Sequence, residues 1–125
     1  MKIGISAYSF SKLIKNGGFT LFDAISRAKE IGYSAIEFIE LNPPEGKDLP
    51  GFAGELRNAC DKAGLSITCY AVSADFLNGS GGNSSVEAER IKKAVDIAGI
   101  LGASCLRHDA TWGIKGTGCR TYRDA

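Results

Sequence analysis

The sequence predicts an α/β fold built from parallel strand–helix units, and two observations support this prediction. First, residues 29–38, 61–70 and 99–108 repeat one order: a helix end, a glycine, two linking residues and an apolar strand. Second, strands and helices alternate along the chain, so no predicted strand has a neighbouring strand with which to form a hairpin. Units of this kind give parallel strands joined by right-handed crossovers.

The length and composition are typical of one globular domain. The chain has 125 residues, of which 44% are hydrophobic, and a net charge of +1. These values exclude extensive disorder and a nucleic-acid surface that neutralises phosphates. No apolar run approaches the roughly 20 residues of a membrane span. The chain start has no apolar segment typical of a signal peptide.

The four cysteines have neither C-x-x-C nor zinc-ribbon spacing: Cys60, Cys69, Cys105 and Cys119. Three of them fall inside predicted helices or strands, a pattern that indicates reduced, buried thiols. Reduced thiols are typical of the cytoplasm, where we expect this protein. From its charge and its short apolar runs, we expect no nucleic-acid partner and no membrane partner.

The first strand is expected over residues 2–7, and the first helix follows a capping box formed by Thr20 and Asp23. Apolar positions spaced three and four apart carry this helix to residue 31. Gly32 ends it, because a residue just past a helix often takes a left-handed conformation that glycine reaches without a steric penalty. The second strand is expected over residues 35–39.

The second helix is expected over residues 51–63, and the third begins at a capping box of Ser84 and Glu87 and runs to residue 101. Gly64 and Gly102 end these helices in the same way. The last two strands are expected at residues 66–72 and 104–107, and residues 118–125 resemble the start of a fourth helix.

The connections from strands to helices are much longer than the reverse connections. They span residues 8–19, 40–50 and 73–83, and all leave the carboxyl ends of parallel strands, where α/β folds place their ligands. The last one is glycine-rich over residues 78–83. No Gly-Lys-Ser/Thr follows, so the pattern favours a mobile loop over a nucleotide cradle.

Alternation along the strands divides their side chains between two faces. One face is bulky and apolar and suits packing under helices: Ile3, Ile5, Ile36, Phe38, Ile67, Cys69 and Leu106. The other face is small or polar, unlike a sheet buried on both sides. Its candidate site residues are Tyr8, Glu37, Tyr70 and Arg107, and His108 would have to turn inward from the strand end to join them.

Each candidate also has a structural interpretation. Glu37 and Arg107 are either an ion pair inside the sheet, ligands of a polyol, or exposed edge residues. His108 is either a hydrogen-bonded polar residue or a contact to substrate or metal. Tyr8 and Tyr70 are either walls of a pocket or packing residues.

Four segments together resemble the xylose isomerase-like sugar phosphate isomerase/epimerase family of TIM barrels. They are Lys2-Ile-Gly-Ile-Ser6, Gly32-Tyr-Ser-Ala-Ile-Glu37, Gly64-Leu-Ser-Ile67 and Leu106-Arg-His-Asp109. The resemblance covers nearly the whole chain but only the first half of a family member, since a complete barrel needs about 250 residues. It implies one domain over residues 1–125: a truncated half of a TIM barrel with four strands and three full helices.

The resemblance also implies a function. The chain would be part of a metal-dependent sugar or sugar-phosphate isomerase or epimerase, which moves a proton next to a carbonyl. The family holds its divalent metal (Mn, Mg, Co or Zn) and its catalytic glutamates on later strands, so we expect no catalytic residue and no bound metal in this chain. The residues expected to bind substrate are Tyr8, Glu37, Tyr70, Arg107 and His108.

Two alternatives remain: a non-catalytic half-barrel fragment and a small α/β binding domain. An open half-barrel would leave unpaired strand edges, which predicts self-association.

Overall fold

A computed structural model of the protein describes residues 3–113. Its four strands form one sheet in the order β1-β2-β3-β4, and all three neighbouring pairs are parallel, as predicted. The strands are β1 Gly4–Ser6, β2 Ala35–Ile39, β3 Ser66–Val72 and β4 Leu106–His108, and the α-helices are α1 Ser11–Lys15, α2 Leu21–Ile31, α3 Leu49–Ala63 and α4 Ser84–Leu101.

The hydrophobic core lies between the sheet and helices α2, α3 and α4. Alternate residues of the strands supply its sheet side, among them Ile36, Phe38 and Ile67. The helices supply Leu56, Cys60 and Leu101, which are fully buried. Burial of each leucine, isoleucine or phenylalanine among them contributes about 1.5–3 kcal/mol. The face of the sheet opposite these helices is called the inner face below.

The helix starts follow local hydrogen bonding, with two departures from prediction. Thr20 and Asp23 form the predicted capping box. Helix α3 begins two residues before the predicted start, because the side chain of Asp48 accepts a hydrogen bond from the backbone N of Gly51 at 2.9 Å. The predicted capping box at the start of α4 is wrong. Asn83 caps this helix instead by accepting from two backbone N–H groups.

The helix ends agree with the repeat. Gly32, Gly64 and Gly102 directly follow α2, α3 and α4 and are left-handed, with φ of 101°, 69° and 69°. Their N–H groups bond to carbonyls of the last helical turn. The short return to the next strand therefore depends on glycine at these positions.

The pairing of β2 with β3 contains a β-bulge that the sequence pattern does not reveal. Ile36 pairs with Ile67, but Glu37 pairs with Cys69, so Thr68 is an extra residue in β3. One extra residue reverses the face on which each later side chain of the strand lies. As a result, Cys69 lies beside Glu37 on the inner face, and Tyr70 lies under the helices.

Short helical segments occupy parts of the predicted loops. A 3₁₀ helix covers Ala7–Phe10 and continues into α1, and a second covers Gly79–Gly82. Between residues 3 and 113, no helix is long and apolar enough to cross a membrane. Cys119 and the predicted start of a fourth helix lie outside the described residues.

Candidate functional site

Glu37 lies on the inner face, between the ends of its two neighbouring strands. Its Oε1 accepts a hydrogen bond of 2.7 Å from the hydroxyl of Ser6 on β1. The same hydroxyl accepts from the backbone N of Tyr8 at 3.3 Å, which starts the 3₁₀ helix after β1. Ser6 thus fixes the carboxylate of Glu37 relative to the first strand-to-helix connection.

Arg107 lies on β4, in register with Ala71 of β3, and is exposed. The alternation places it on the inner face with Glu37, as predicted. Its Nη1 donates to Oδ1 of Asp109 at 3.1 Å. Within residues 3–113 this is the ion pair that Arg107 makes, so the interpretation of Glu37 and Arg107 as a structural ion pair is wrong. The two side chains present a carboxylate and a guanidinium separately on one face.

Tyr70 does not join this face, which corrects the sequence-based expectation. The bulge at Thr68 turns it toward the helices, where it is 2% exposed within the hydrophobic core. Its hydroxyl accepts a hydrogen bond from the backbone N of Leu41 at 3.3 Å. Burial raises the pKa of this hydroxyl. Tyr70 therefore packs and caps a loop, and the residue that takes its expected place is Cys69.

Tyr8 and His108 lie at the ends of the outer strands. Tyr8 is 67% exposed in the 3₁₀ helix that follows β1. His108 pairs with Val72, whose side chain belongs to the helix-side core. Its ring packs edge-on against Phe76, with centroids 5.7 Å apart. The expected inward turn of His108 toward Glu37 is therefore not observed.

Two cysteines that the sequence placed in buried strand interiors lie on the inner face. Cys69 is buried, whereas Cys105 is exposed, contrary to the expectation. The thiol of Cys105 donates to the carbonyl of Thr68 at 3.4 Å. Burial, followed by the proximity of Cys105 and Glu37, raises the pKa of the Cys69 thiol to about 11. Sequence spacing gives no signal for this pair, because it depends on the bulge.

Glu87 anchors the glycine-rich loop at the same end of the sheet. It is 3% exposed and lies near the start of α4. It accepts hydrogen bonds from Arg90 Nη2 at 2.8 Å, from the backbone N of Asp75 at 3.1 Å and from Ser80 Oγ at 2.9 Å. These bonds, that of Arg90 first, lower the pKa of Glu87 to about 2. The segment predicted as a mobile loop is thus tied to a buried carboxylate.

Asp75 holds the other side of this loop. Its carboxylate accepts from the backbone N of Leu77 and from both the backbone and the side chain of Asn78. The hydroxyl of Thr111, beyond β4, donates to it at 3.0 Å. Desolvation raises the pKa of Asp75, but these hydrogen bonds outweigh it and hold the pKa at about 2. The loops that follow β3 and β4 are therefore joined.

A separate cleft of about 390 Å³ opens on the helix side, between the first two strand-to-helix loops. Its lining is mainly apolar and includes Ile14, Leu21, Phe22 and Phe52. It contains none of the five predicted site residues. The polar inner face and this apolar cleft are therefore distinct surfaces.

The residues described do not fit a divalent metal. Between residues 3 and 113, no group of three His, Cys, Asp or Glu side chains converges as a metal site would require. Asp109 is paired with Arg107, and Nδ1 of His108 contacts the carbonyl of Asp109 at 2.8 Å. No chemical step is therefore assigned to a metal in this part of the chain.

The fold matches larger solved structures. The probable 3-DHS dehydratase AsbF of Bacillus anthracis, involved in petrobactin synthesis, superimposes with a TM-score of 0.66 at 18% identity. A D-psicose 3-epimerase solved in the presence of D-fructose superimposes with a TM-score of 0.67 at 12% identity. In both cases the match covers 99% of this chain and 43% of the other, so the chain spans less than half the length of these proteins.

A search of curated protein sequences finds no match. The family model described as xylose isomerase-like TIM barrel, however, matches residues 25–124. This range contains β2, β3 and β4, and the fold of these strands agrees with the solved structures. The chain therefore belongs to the xylose isomerase-like TIM barrel family.

Proposed function

We propose that this chain supplies the sugar-binding side of an isomerase or epimerase that acts on a sugar or a sugar phosphate. The observation that supports this proposal is the pair of polar groups on the inner face. The carboxylate of Glu37 can accept hydrogen bonds from sugar hydroxyls, and the guanidinium of Arg107 can donate to them or to a phosphate. Both lie toward the carboxyl ends of parallel strands, where barrels of this kind bind ligands.

The proposed role of Glu37 and Arg107 is to bind and orient the substrate. Ser6 holds one carboxylate oxygen of Glu37, and this bond fixes the direction of the other oxygen. A fixed acceptor is what substrate positioning requires, because small displacements of a bound substrate slow proton transfer strongly. We assign no catalytic base in residues 3–113. Metal dependence, if it belongs to the activity, would need ligands beyond this range.

The chain would act as the N-terminal half of a barrel domain, located in the cytoplasm. Its sheet has β1 and β4 as edges within residues 3–113, and such edges favour pairing with a second copy or another chain.

The binding role can be tested by calorimetric titration of the full chain with D-fructose, D-psicose and a fructose phosphate. We expect Glu37→Gln to weaken binding of all three about tenfold or more, since a hydrogen bond to a charged group contributes about 1.5–3 kcal/mol. Arg107→Gln should weaken the phosphorylated sugar most, because the guanidinium pairs best with a doubly charged group.

The matched control is Glu89→Gln on α4, where the carboxylate is exposed and pairs with Lys92. This variant should bind as the unaltered chain does. Equal affinities for Glu37→Gln and the unaltered chain would contradict the proposed site. Conversion of fructose to psicose by this chain alone would contradict the expectation that it contains no catalytic residue.

A further inference from the structure

We propose that Cys69 and Cys105 form a reversible disulfide across β3 and β4, closed by exchange with a low-molecular-weight disulfide such as oxidised glutathione. This inference concerns a modification site on the inner face and does not depend on the proposed sugar site.

The register of the two strands brings the two cysteines opposite each other. Tyr70 pairs with Leu106, and the residues immediately before them are Cys69 and Cys105. The backbone N of Tyr70 donates to the carbonyl of Cys105 at 3.0 Å, which fixes this register. Neighbouring strands lie about 4.8 Å apart, within the Cα separations of about 4.4–6.8 Å that a disulfide spans. Both side chains lie on the inner face, so the sulfurs lie side by side.

The environments of the two thiols give them different roles. Cys105 is exposed and can meet an oxidant from solvent, whereas Cys69 is buried beside Glu37. Burial and the nearby carboxylate disfavour the thiolate of Cys69, whose pKa is about 11. Because the thiolate is the nucleophile in exchange, Cys105 attacks first and Cys69 resolves the intermediate.

The exchange balances in two steps. The Cys105 thiolate attacks one sulfur of the small disulfide, forms a mixed disulfide and releases one small thiolate, which takes up a proton. The Cys69 thiol then loses its proton to water, and its sulfur attacks the Cys105 sulfur and releases the second small thiolate. The protein loses two protons and two electrons in total, and the small disulfide takes them up and becomes two thiols.

The bond should be easily reduced. Side chains of directly paired residues on parallel strands project side by side, farther apart than the Cβ separation of about 3.8 Å that a relaxed disulfide prefers. Closing the bond therefore strains the strands, and strained disulfides are the labile and regulatory ones. A bond at this position would also press against Glu37, the residue paired with Cys69.

The test is a map of disulfides in the native full chain after incubation with oxidised glutathione, alkylation and digestion with trypsin. Each cysteine falls in its own tryptic peptide: residues 58–62, 63–90, 94–107 and 116–120. We expect peptides 63–90 and 94–107 to be the dominant linked pair. In guanidinium chloride the same treatment should give mixed pairings, because the register is lost.

Two variants distinguish a specific disulfide between Cys69 and Cys105 from random oxidation of the cysteines. Cys69→Ser should abolish the link and leave Cys105 as its glutathione adduct, increased several-fold. Cys60→Ser is the control, because Cys60 is fully buried in α3, and the link should persist. The proposal is overturned if native Cys105 remains a glutathione adduct in the unaltered chain, or if it links to Cys119 or to a second chain. The native and denatured maps decide this even where a variant does not fold.

Discussion

The carboxylates of Glu87 and Glu37 lie near the same end of the sheet but accept hydrogen bonds from different numbers of donors. Glu87 is almost fully enclosed and accepts from Arg90, Ser80 and the backbone of Asp75. Glu37 is half-buried and accepts from Ser6 alone among the described residues. A carboxylate offers about four acceptor positions. The surroundings of Glu87 suit a structural anchor, whereas those of Glu37 leave acceptor capacity for a ligand.

Glu87 should make the protein sensitive to acid. Its pKa is lowered from 4.5 to about 2 in the folded chain, so its contribution to stability is complete above about 4.5 and is lost as the pH falls toward 2. We expect Glu87→Gln to lower the urea midpoint at pH 7 and to flatten the loss of stability in that acid window, with some slope remaining from Asp75. Urea unfolding followed by circular dichroism across this pH range measures both effects.

Glu89→Gln again serves as the control for Glu87→Gln. Its exposed pair with Lys92 contributes little to stability, so its urea midpoint should follow that of the unaltered chain. Identical pH profiles for the unaltered chain and Glu87→Gln would show that the anchor has no role.

Altering Tyr70 should reduce stability and spare sugar binding, whereas altering Glu37 should weaken sugar binding. Tyr70→Phe removes the acceptor of the buried Leu41 N–H, and we expect it to lower the free energy of unfolding by about 1–3 kcal/mol. It should leave the affinity for sugars unchanged, because the side chain lies under the helices. Urea unfolding and calorimetry on the same variant measure the two quantities. A loss of sugar affinity at unchanged stability would restore the original expectation that Tyr70 faces the substrate.

The helix ends depend on single glycines, and α3 allows a matched comparison. Gly64→Ala puts a side chain at a φ of 69° and should cost roughly 1–2 kcal/mol. Gly54→Ala lies inside the same helix with open space around it and should stabilise the fold by about 0.5–1 kcal/mol. Relative to the unaltered chain, Gly64→Ala should therefore lower the melting temperature and the urea midpoint, and Gly54→Ala should raise both. A shift in the same direction would refute the left-handed end of α3.

The strand order and the glycine ends of the three long helices were predictable from sequence, because their signals are local. The short helix α1 and the cap at Asn83 were not predicted. Thr20, Asp23 and the three glycines define ends within a few residues of chain. The faces of β3 were predictable only as far as Thr68, because the bulge is a property of pairing between two strands. The error therefore falls on Cys69 and Tyr70 and reaches the candidate site.

The sheet has β1 at one edge and β4 at the other within the described residues. We expect the full chain to associate in a concentration-dependent way, measurable by sedimentation velocity. Ile3→Lys should weaken the association, because a charge beside β1 disfavours edge pairing. Val95→Lys on α4 is the control, since Val95 and Ile3 are each 54% exposed. If Ile3→Lys and Val95→Lys associate equally, the contact between copies does not involve the edge at β1.

The bulge at Thr68 also matters to anyone who redesigns the pocket. Before it, β3 obeys simple alternation, and after it the odd-numbered positions line the inner face. A library meant to alter ligand preference would therefore vary Cys69 and Ala71, whereas one guided by simple alternation along β3 would vary Tyr70 and damage the core. Deleting Thr68 would remove the bulge and still leave Cys69 and Ala71 on the pocket side, because the two strands would then pair residue for residue. Only a strand that kept Thr68 and lost the bulge would bring Tyr70 into the pocket.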